Sequence, residues 1–246
     1  MIKLSIIGTI CTIAAIALFV FSACGLFGST LIGNGNVTTE NRTIGDFTAL
    51  KLNGVFTTII SQDGGPASVR VETDQNLQQT IEVSSDGKTL EIATKSGIHF
   101  NRPSKMIVYV NVKDIKSLIN TSVGKVETQG AIKSDALDLD NNAVGKMTLH
   151  IEVQKLTAKL NSVGVTTLTG SAAVADLDNN SVGKLDAYAL RSDTLTIKNN
   201  AVGAVEVYAD KEISIDNDAV GSLHYKGNAV VTSLKDNGVG KVSKAD

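Results

Sequence analysis

After position 24 the sequence contains no cysteine, and it contains no tryptophan at all. The two cysteines, Cys11 and Cys24, both stand in the first 24 residues, so neither disulfides nor a thiolate metal site can hold the folded part together. A formal charge of -2 supplies no basic field for nucleic acid and no strongly acidic one either. No helix of ordinary length is evident after residue 24, so no glycine loop can open a helix to cradle a phosphate. Aromatics make up only 4% of the residues, which leaves little for a broad aromatic face. Two prolines, 22 glycines and many Val, Thr, Ile and Leu residues suit strands joined by tight corners.

What the sequence does have is a recurring Val-Gly pair: Val123-Gly124, Val144-Gly145, Val163-Gly164, Val182-Gly183, Val202-Gly203, Val220-Gly221 and Val239-Gly240. Successive glycines are 18 to 21 residues apart, a period that signals a stacked repeat architecture. Six residues before each Gly stand Leu118, Leu139, Ala158, Leu177, Ile197, Ile215 and Leu234. Two before it the residues are all small, and three before it they are Thr121, Asn142, Asn161, Asn180, Asn200, Asp218 and Asn237. Apolar residues two apart with polar ones between describe half-buried strands. Each repeat therefore reads as strand, turn at Asn-Asn-Ala-Val-Gly, strand and a short return.

An antiparallel meander would give equivalent positions no reason to match. In a parallel solenoid they stack about 4.8 Å apart, and an asparagine column can run as a ladder of amide hydrogen bonds. The column five before each Gly supports stacking: Asp140, Lys159, Asp178, Lys198, Asp216 and Lys235 alternate in sign. Like charges one strand spacing apart destabilise, whereas opposite ones contribute about 0.2–1 kcal/mol per pair. We expect an all-β parallel solenoid of about seven coils, roughly 30–35 Å long at one strand spacing per coil.

Residues 1–23 read as a lipoprotein signal peptide. Lys3 precedes an apolar run from Leu4 to Phe21, and Phe21-Ser22-Ala23-Cys24 looks like a lipobox, with lipidation at Cys24. An uncleaved membrane helix is the alternative, since about 18–20 apolar residues can span a bilayer. Residues 24–36 read as a tether and 37–246 as the folded domain, with an N-terminal β section at 37–115 and the Val-Gly coils at 116–246. In the former, Ile81 and Val83, then Asp86-Gly87, then Leu90 and Ile92, predict a hairpin.

The motifs Gly33-Asn34-Gly35-Asn36-Val37, Glu40-x-Arg42 and Phe47-x-x-Leu50-x-Leu52-x-Gly54-Val55-Phe56 appear in that order. They are followed by Val69-x-Val71-Glu72-x-Asp74-x-Asn76-Leu77 and Asp86-Gly87-x-x-Leu90-x-Ile92. In this the chain resembles the auto-transporter adhesin head domain family, called the GIN domain, of exported proteins and lipoproteins in Bacteroidetes-like bacteria. The resemblance implies a right-handed β-helix-like fold and a role in adhesion, and it carries over no catalytic residue. Where relatives often have Ser-Gly-Ser-Gly at the coil corners, this chain has Asn-Ser-Val-Gly and Asn-Asn-Ala-Val-Gly.

Paired carboxylates at Asp138/Asp140, Asp176/Asp178 and Asp216/Asp218 raise calcium binding or acid–base chemistry on polysaccharides. The glycine-rich nonapeptide of calcium-binding coils is absent, and Lys159 and Lys198 would sit between the acidic rungs. A charge-paired surface is the simpler reading. His99, His150 and His224 are far apart, and Ser122, Ser162 and Ser181 lack a His or Asp at fixed offset, so no catalytic residue, metal site or cofactor is expected. Tyr188, Tyr208 and His150 each stand five residues after their Gly, so stacking would place them on one outer face as a ligand platform for sugars, or as a mere stiffening ladder.

The sequence thus points to an outer-membrane lipoprotein of the cell envelope, periplasmic or surface-exposed. It is expected to meet the membrane through its N-terminal lipid and a glycan or envelope protein through its coils, with no nucleic-acid partner. A polysaccharide-active β-helix enzyme and a structural component self-associating through its last coil are the alternatives.

Overall fold

The structure is a computed structural model that describes residues 29–245, so the expected signal peptide and the expected lipidation at Cys24 lie outside the described residues. The N-terminal part contains β1 (Ser29–Ile32), β2 (Val37–Arg42), β3 (Ala49–Asn53), β4 (Thr57–Ser61) and β5 (Ser68–Asp74). A 3-10 turn at Gln75–Thr80 leads to β6 (Ile81–Ser85), β7 (Thr89–Thr94), β8 (Ile98–Asn101) and β9 (Met106–Asn111). The coils begin with β10 (Ser117–Asn120), β11 (Val123–Gln129), β12 (Ile132–Asn141), β13 (Val144–Leu160) and β14 (Val163–Asn179). They continue through β15 (Val182–Ala187), β16 (Leu190–Asn199), β17 (Val202–Tyr208), β18 (Glu212–Asn217), β19 (Val220–Lys226), β20 (Val230–Asp236) and β21 (Val239–Lys244).

The coil strands pair in parallel, each with its equivalent one repeat on. Leu139 lies opposite Ala158, Ala158 opposite Leu177, Leu177 opposite Ile197, and Ile197 opposite Ile215. This is a solenoid of about seven turns, as the matched columns predict. Members of that leucine column are buried to within 3% exposure from Leu118 to Ile215, and each fully buried Leu or Ile contributes about 1.5–3 kcal/mol. In the last described coil Leu234 occupies the same column and is 55% exposed, because no further rung covers it among the described residues.

The Val-Gly period does not mark the start of the stack. β3 is sandwiched between β7 and β10, with Leu50 opposite Leu90 on one side and Leu118 on the other. β4 is likewise held between β9 and β11. The chain therefore lays down an inner rung, builds the rung beneath it, then returns above and climbs. Antiparallel pairing is confined to this end, where β5 joins β2 and β9, and β6 joins β7. The β6–β7 hairpin forms where Asp86-Gly87 predicts it. Gly87 has φ +86°, and Asp86 Oδ1 accepts hydrogen bonds from the amides of Lys88 and Thr89 at 2.9 and 2.6 Å.

Part of the segment expected as a tether is docked. β1 pairs in parallel with β8, and the loop after it is fixed by Asp74. This buried carboxylate accepts from the Gly35 amide at 2.8 Å and from the Ser104 amide and hydroxyl at 2.7 and 2.9 Å. Burial pushes its pKa up, but the hydrogen bonds from Ser104 and Gly35 outweigh that and hold the carboxyl below its ordinary value.

Candidate functional site

From β10 onward every coil turns its corner through the same three residues, a small inward one, the outward Val and the Gly; in the coil of β3 and β4 the corner is Gly54-Val55-Phe56. The column glycines have φ between +135° and +148°, a region closed to most side chains. Backbone proximity adds a second demand. A Cβ on Gly164 would lie 1.9 Å from the carbonyl oxygen of Gly145, and one on Gly183 equally close to that of Gly164. The valines before them stack on one another, and from Val123 to Val220 each stays about half exposed.

Two asparagine ladders flank this corner. The outer one is the predicted column: Asn161 donates to Asn142, Asn180 to Asn161, and Asn200 to Asn180, at 2.9 to 3.2 Å. An inner ladder, one residue earlier in each coil, is buried from Asn120 to Asn217 and ends on the exposed Asp236. Asn120 donates to Asn141, Asn179 to Asn199, Asn199 to Asn217 and Asn217 to Asp236, at 2.8 to 3.0 Å. Leu160 interrupts it, and there Asn141 Nδ2 donates instead to Thr166 Oγ1 on the facing strand. Ser122 and Ser181 bond within their own turns to Asn120 and Asn179, as corner residues should.

The charge column lies in register as predicted, with Asp140 opposite Lys159, Lys159 opposite Asp178, and Asp178 opposite Lys198. Among the described residues none of these pairs closes to within 4.0 Å. Asp140 and Asp178 accept instead from Asn142 and Asn180, the outer-ladder residues two positions on. No cluster of His, Cys, Asp and Glu suited to a metal occurs among the described residues.

The residues expected as a ligand platform share one edge of the solenoid but play different parts. His150 is exposed, its Nδ1 3.0 Å from Thr169 Oγ1 and its Nε2 4.0 Å from Glu152. Tyr188 is half-buried with Lys226 Nζ 5.2 Å from its ring centre, and burial raises its pKa. Tyr208 alone of the three lines a groove, of about 460 Å³, together with Gln154, Ser171, Arg191, Asp193 and Asp210.

The groove arises from a change in coil length. Glu152, Ser171 and Arg191 fall in one column, and of these Ser171 and Arg191 line the groove, the short Ser171 leaving a notch beside the longer Arg191. The next coil takes a shorter path. The Asp210 and Lys211 amides bond directly to the Ser192 and Asp193 carbonyls, both at 2.8 Å, and bring Tyr208 and Asp210 to the rim. The Arg191 guanidinium lies 4.0 Å from the Tyr208 ring centre. Lys211 Nζ bonds Asp193 at 2.9 Å, an interaction that raises the lysine pKa. Asp210 Oδ1 accepts from Asn228 Nδ2 at 3.2 Å and faces the Tyr208 hydroxyl at 3.4 Å. Nothing in the spacing of the sequence marks Arg191 as a groove residue, because the notch depends on a register that only the stack defines.

Comparison with known proteins adds a family and a set of folds. Residues 46–229 match the family described as "putative auto-transporter adhesin, head GIN domain". A solved structure from Bacteroides fragilis, named a putative adhesin, superposes with TM-score 0.81 at 22% identity, covering 87% of this chain and all of that one. A putative lipid binding protein from Parabacteroides distasonis gives 0.65 at 19% identity, over 89% of this chain and all of that one. A putative adhesin from Parabacteroides merdae gives 0.59 at 22%, over 88% and 99%. At these identities the likeness is one of fold. No curated protein matches.

Proposed function

The chain belongs to the auto-transporter adhesin head GIN domain family, and from that premise we propose that it is a lipid-anchored envelope protein whose rigid solenoid serves binding or adhesion. In this reading Cys24 carries the lipid that holds it at the outer membrane, and no catalysis takes place. The observation that carries the reading is the continuous ladder frame. From β3 to β21 every coil is locked to the next by parallel strands, and asparagine ladders run along the corner. Such a frame holds outward side chains at fixed spacing, which lowers the entropy cost of docking on them.

The test is made in cells. Deleting the gene should reduce attachment to host or matrix surfaces, and the wild-type chain should restore it. Replacing Cys24 by Ala should abolish palmitate labelling and release the protein from the membrane fraction. Unchanged attachment after deletion sinks the adhesion reading, and unchanged labelling sinks the anchor.

A second reading, self-association, is favoured by β20, whose seven residues are all exposed and include Leu234 from the core column. Sedimentation of the detergent-solubilised chain decides it. A dimer that Leu234→Asp dissociates supports it, and a concentration-independent monomer removes it.

A further inference from the structure

We propose that the groove at Arg191 and Tyr208 is a binding site for an acidic saccharide, with the guanidinium receiving the sugar carboxylate. The proposal rests on the binding reading above and names the ligand class for it.

Arg191 is placed for recognition rather than for holding the fold. Its side chain is exposed and lies against the Tyr208 ring, which limits the orientations of its planar fork. Among the described residues no carboxylate stands within 4.0 Å of it, although Asp193 and Asp210 line the same groove. Both of these are engaged elsewhere, Asp193 with Lys211 and Asp210 with Asn228. The result is one planar cation without an ionic partner, beside acceptors whose charge or position is already fixed. A guanidinium in that state matches a carboxylate through two parallel N–H bonds.

The rest of the groove selects among carboxylates. Asp193 and Asp210 keep lone pairs that can accept from hydroxyl groups, and Gln154 can both donate and accept. Ala173, partly exposed, lines the groove beside these polar groups and gives a small apolar surface suited to the C–H face of a sugar ring. A ligand with one carboxylate, several hydroxyl donors and an apolar face uses all of these features, and a uronic acid residue is such a ligand. A phosphate-rich ligand would bring more negative charge toward two carboxylates than one guanidinium offsets. The volume, about 460 Å³, falls within the range of small-molecule sites and suits a short oligosaccharide rather than a single ion.

The experiment is calorimetric titration of the full chain in detergent with galacturonate, glucuronate and mannuronate oligosaccharides, their methyl esters and inorganic phosphate. At least one free uronate should bind, its ester should bind at least tenfold more weakly, and phosphate should not compete. Arg191→Ala should weaken binding at least tenfold. Ser171→Gln, which fills the notch from an exposed position, should do the same while thermal melting is unchanged. His150→Ala should bind like the wild type. Absence of binding by every uronate, equal binding of acid and ester, or wild-type affinity in either Arg191→Ala or Ser171→Gln overturns the proposal. If no uronate binds but gene deletion still reduces attachment, the site assignment falls and the adhesion reading stands. Uronate binding without an attachment defect leaves the site assignment standing and removes the adhesion reading.

Discussion

Asn141 donates its amide hydrogen to Thr166 Oγ1 at 3.2 Å, across the corner where Leu160 stands in place of an asparagine. Two substitutions in one coil thus compensate. The ladder column becomes apolar at Leu160, and the facing column, filled by Val126, Met147, Leu185, Val205 and Leu223 elsewhere, becomes polar at Thr166. Both residues are fully or almost fully buried, so each exchange alone would leave a mismatch. Thr166→Val should cost about 1–3 kcal/mol by stranding the Asn141 amide. Adding Leu160→Asn should restore much of this by completing the ladder from Asn141 to Asn179. A double-mutant cycle read by chemical denaturation checks it, and additive losses would show that the two sites are independent.

The glycine column makes a sharper prediction. Gly164→Ala brings a methyl group to 1.9 Å from the Gly145 carbonyl oxygen at a φ of +136°, so strand pairing on that side must open. A loss of more than about 4 kcal/mol, or failure to fold, is expected, which places the change among the rare severe ones. Gly45→Ala is the control. A Cβ there meets nothing within 4 Å and its φ is not positive, so stability should stay within about 0.5 kcal/mol. Melting temperatures of the two variants separate these outcomes.

Asp74 ties the residues after β1 to the loop at Ser104, and its carboxyl is held below the ordinary range. A carboxylate depressed in the folded state contributes stability that is present above its unfolded value and lost as pH falls through the folded one. Protection of the Gly35 amide against hydrogen exchange should therefore hold from neutral pH to about pH 4 and decline in stronger acid. Asp74→Asn should weaken that protection at neutral pH, because one acceptor oxygen is replaced by a donor facing the Ser104 amide or the Gly35 amide. Equal protection in both proteins at pH 7 would show that β1 and β8 hold the segment without it.

Much of this architecture was legible in the sequence, and the unread parts share a cause. A period of 18 to 21 residues, matched columns and the alternation from Asp140 to Lys235 required stacking, and stacking is present. The outer asparagine ladder followed from the same columns. The inner ladder was hidden, although Asn141-Asn142, Asn179-Asn180 and Asn199-Asn200 carry a doublet, because strand alternation does not say which amide of an adjacent pair turns inward at a corner. The coil formed by β3 and β4 was hidden too, since its neighbours in the stack are β7 and β9 below and β10 and β11 above. Pairing between segments far apart leaves no local period. The groove at Arg191 depends on coil length and on the small side chain of Ser171, features that acquire meaning only once the rungs are aligned.

The charge column offers a test of stacking energetics that leaves the core untouched. Lys159 is exposed and lies between Asp140 and Asp178, yet neither pair closes to within 4.0 Å among the described residues, so its contribution is a screened field rather than a direct bond. Lys159→Gln removes two attractions, each worth about 0.2–1 kcal/mol across neighbouring strands. Lys159→Asp replaces them with two repulsions, and should cost about twice as much as the glutamine variant. Salt discriminates this from a packing effect. At 1 M ionic strength the Debye length shrinks to about 3 Å, below one strand spacing, so the Gln and Asp variants should converge. Denaturation midpoints measured at about 0.05 M and 1 M salt report the difference. If the gap between the two variants is the same at both concentrations, the alternating signs serve solubility and side-chain spacing rather than attraction between rungs.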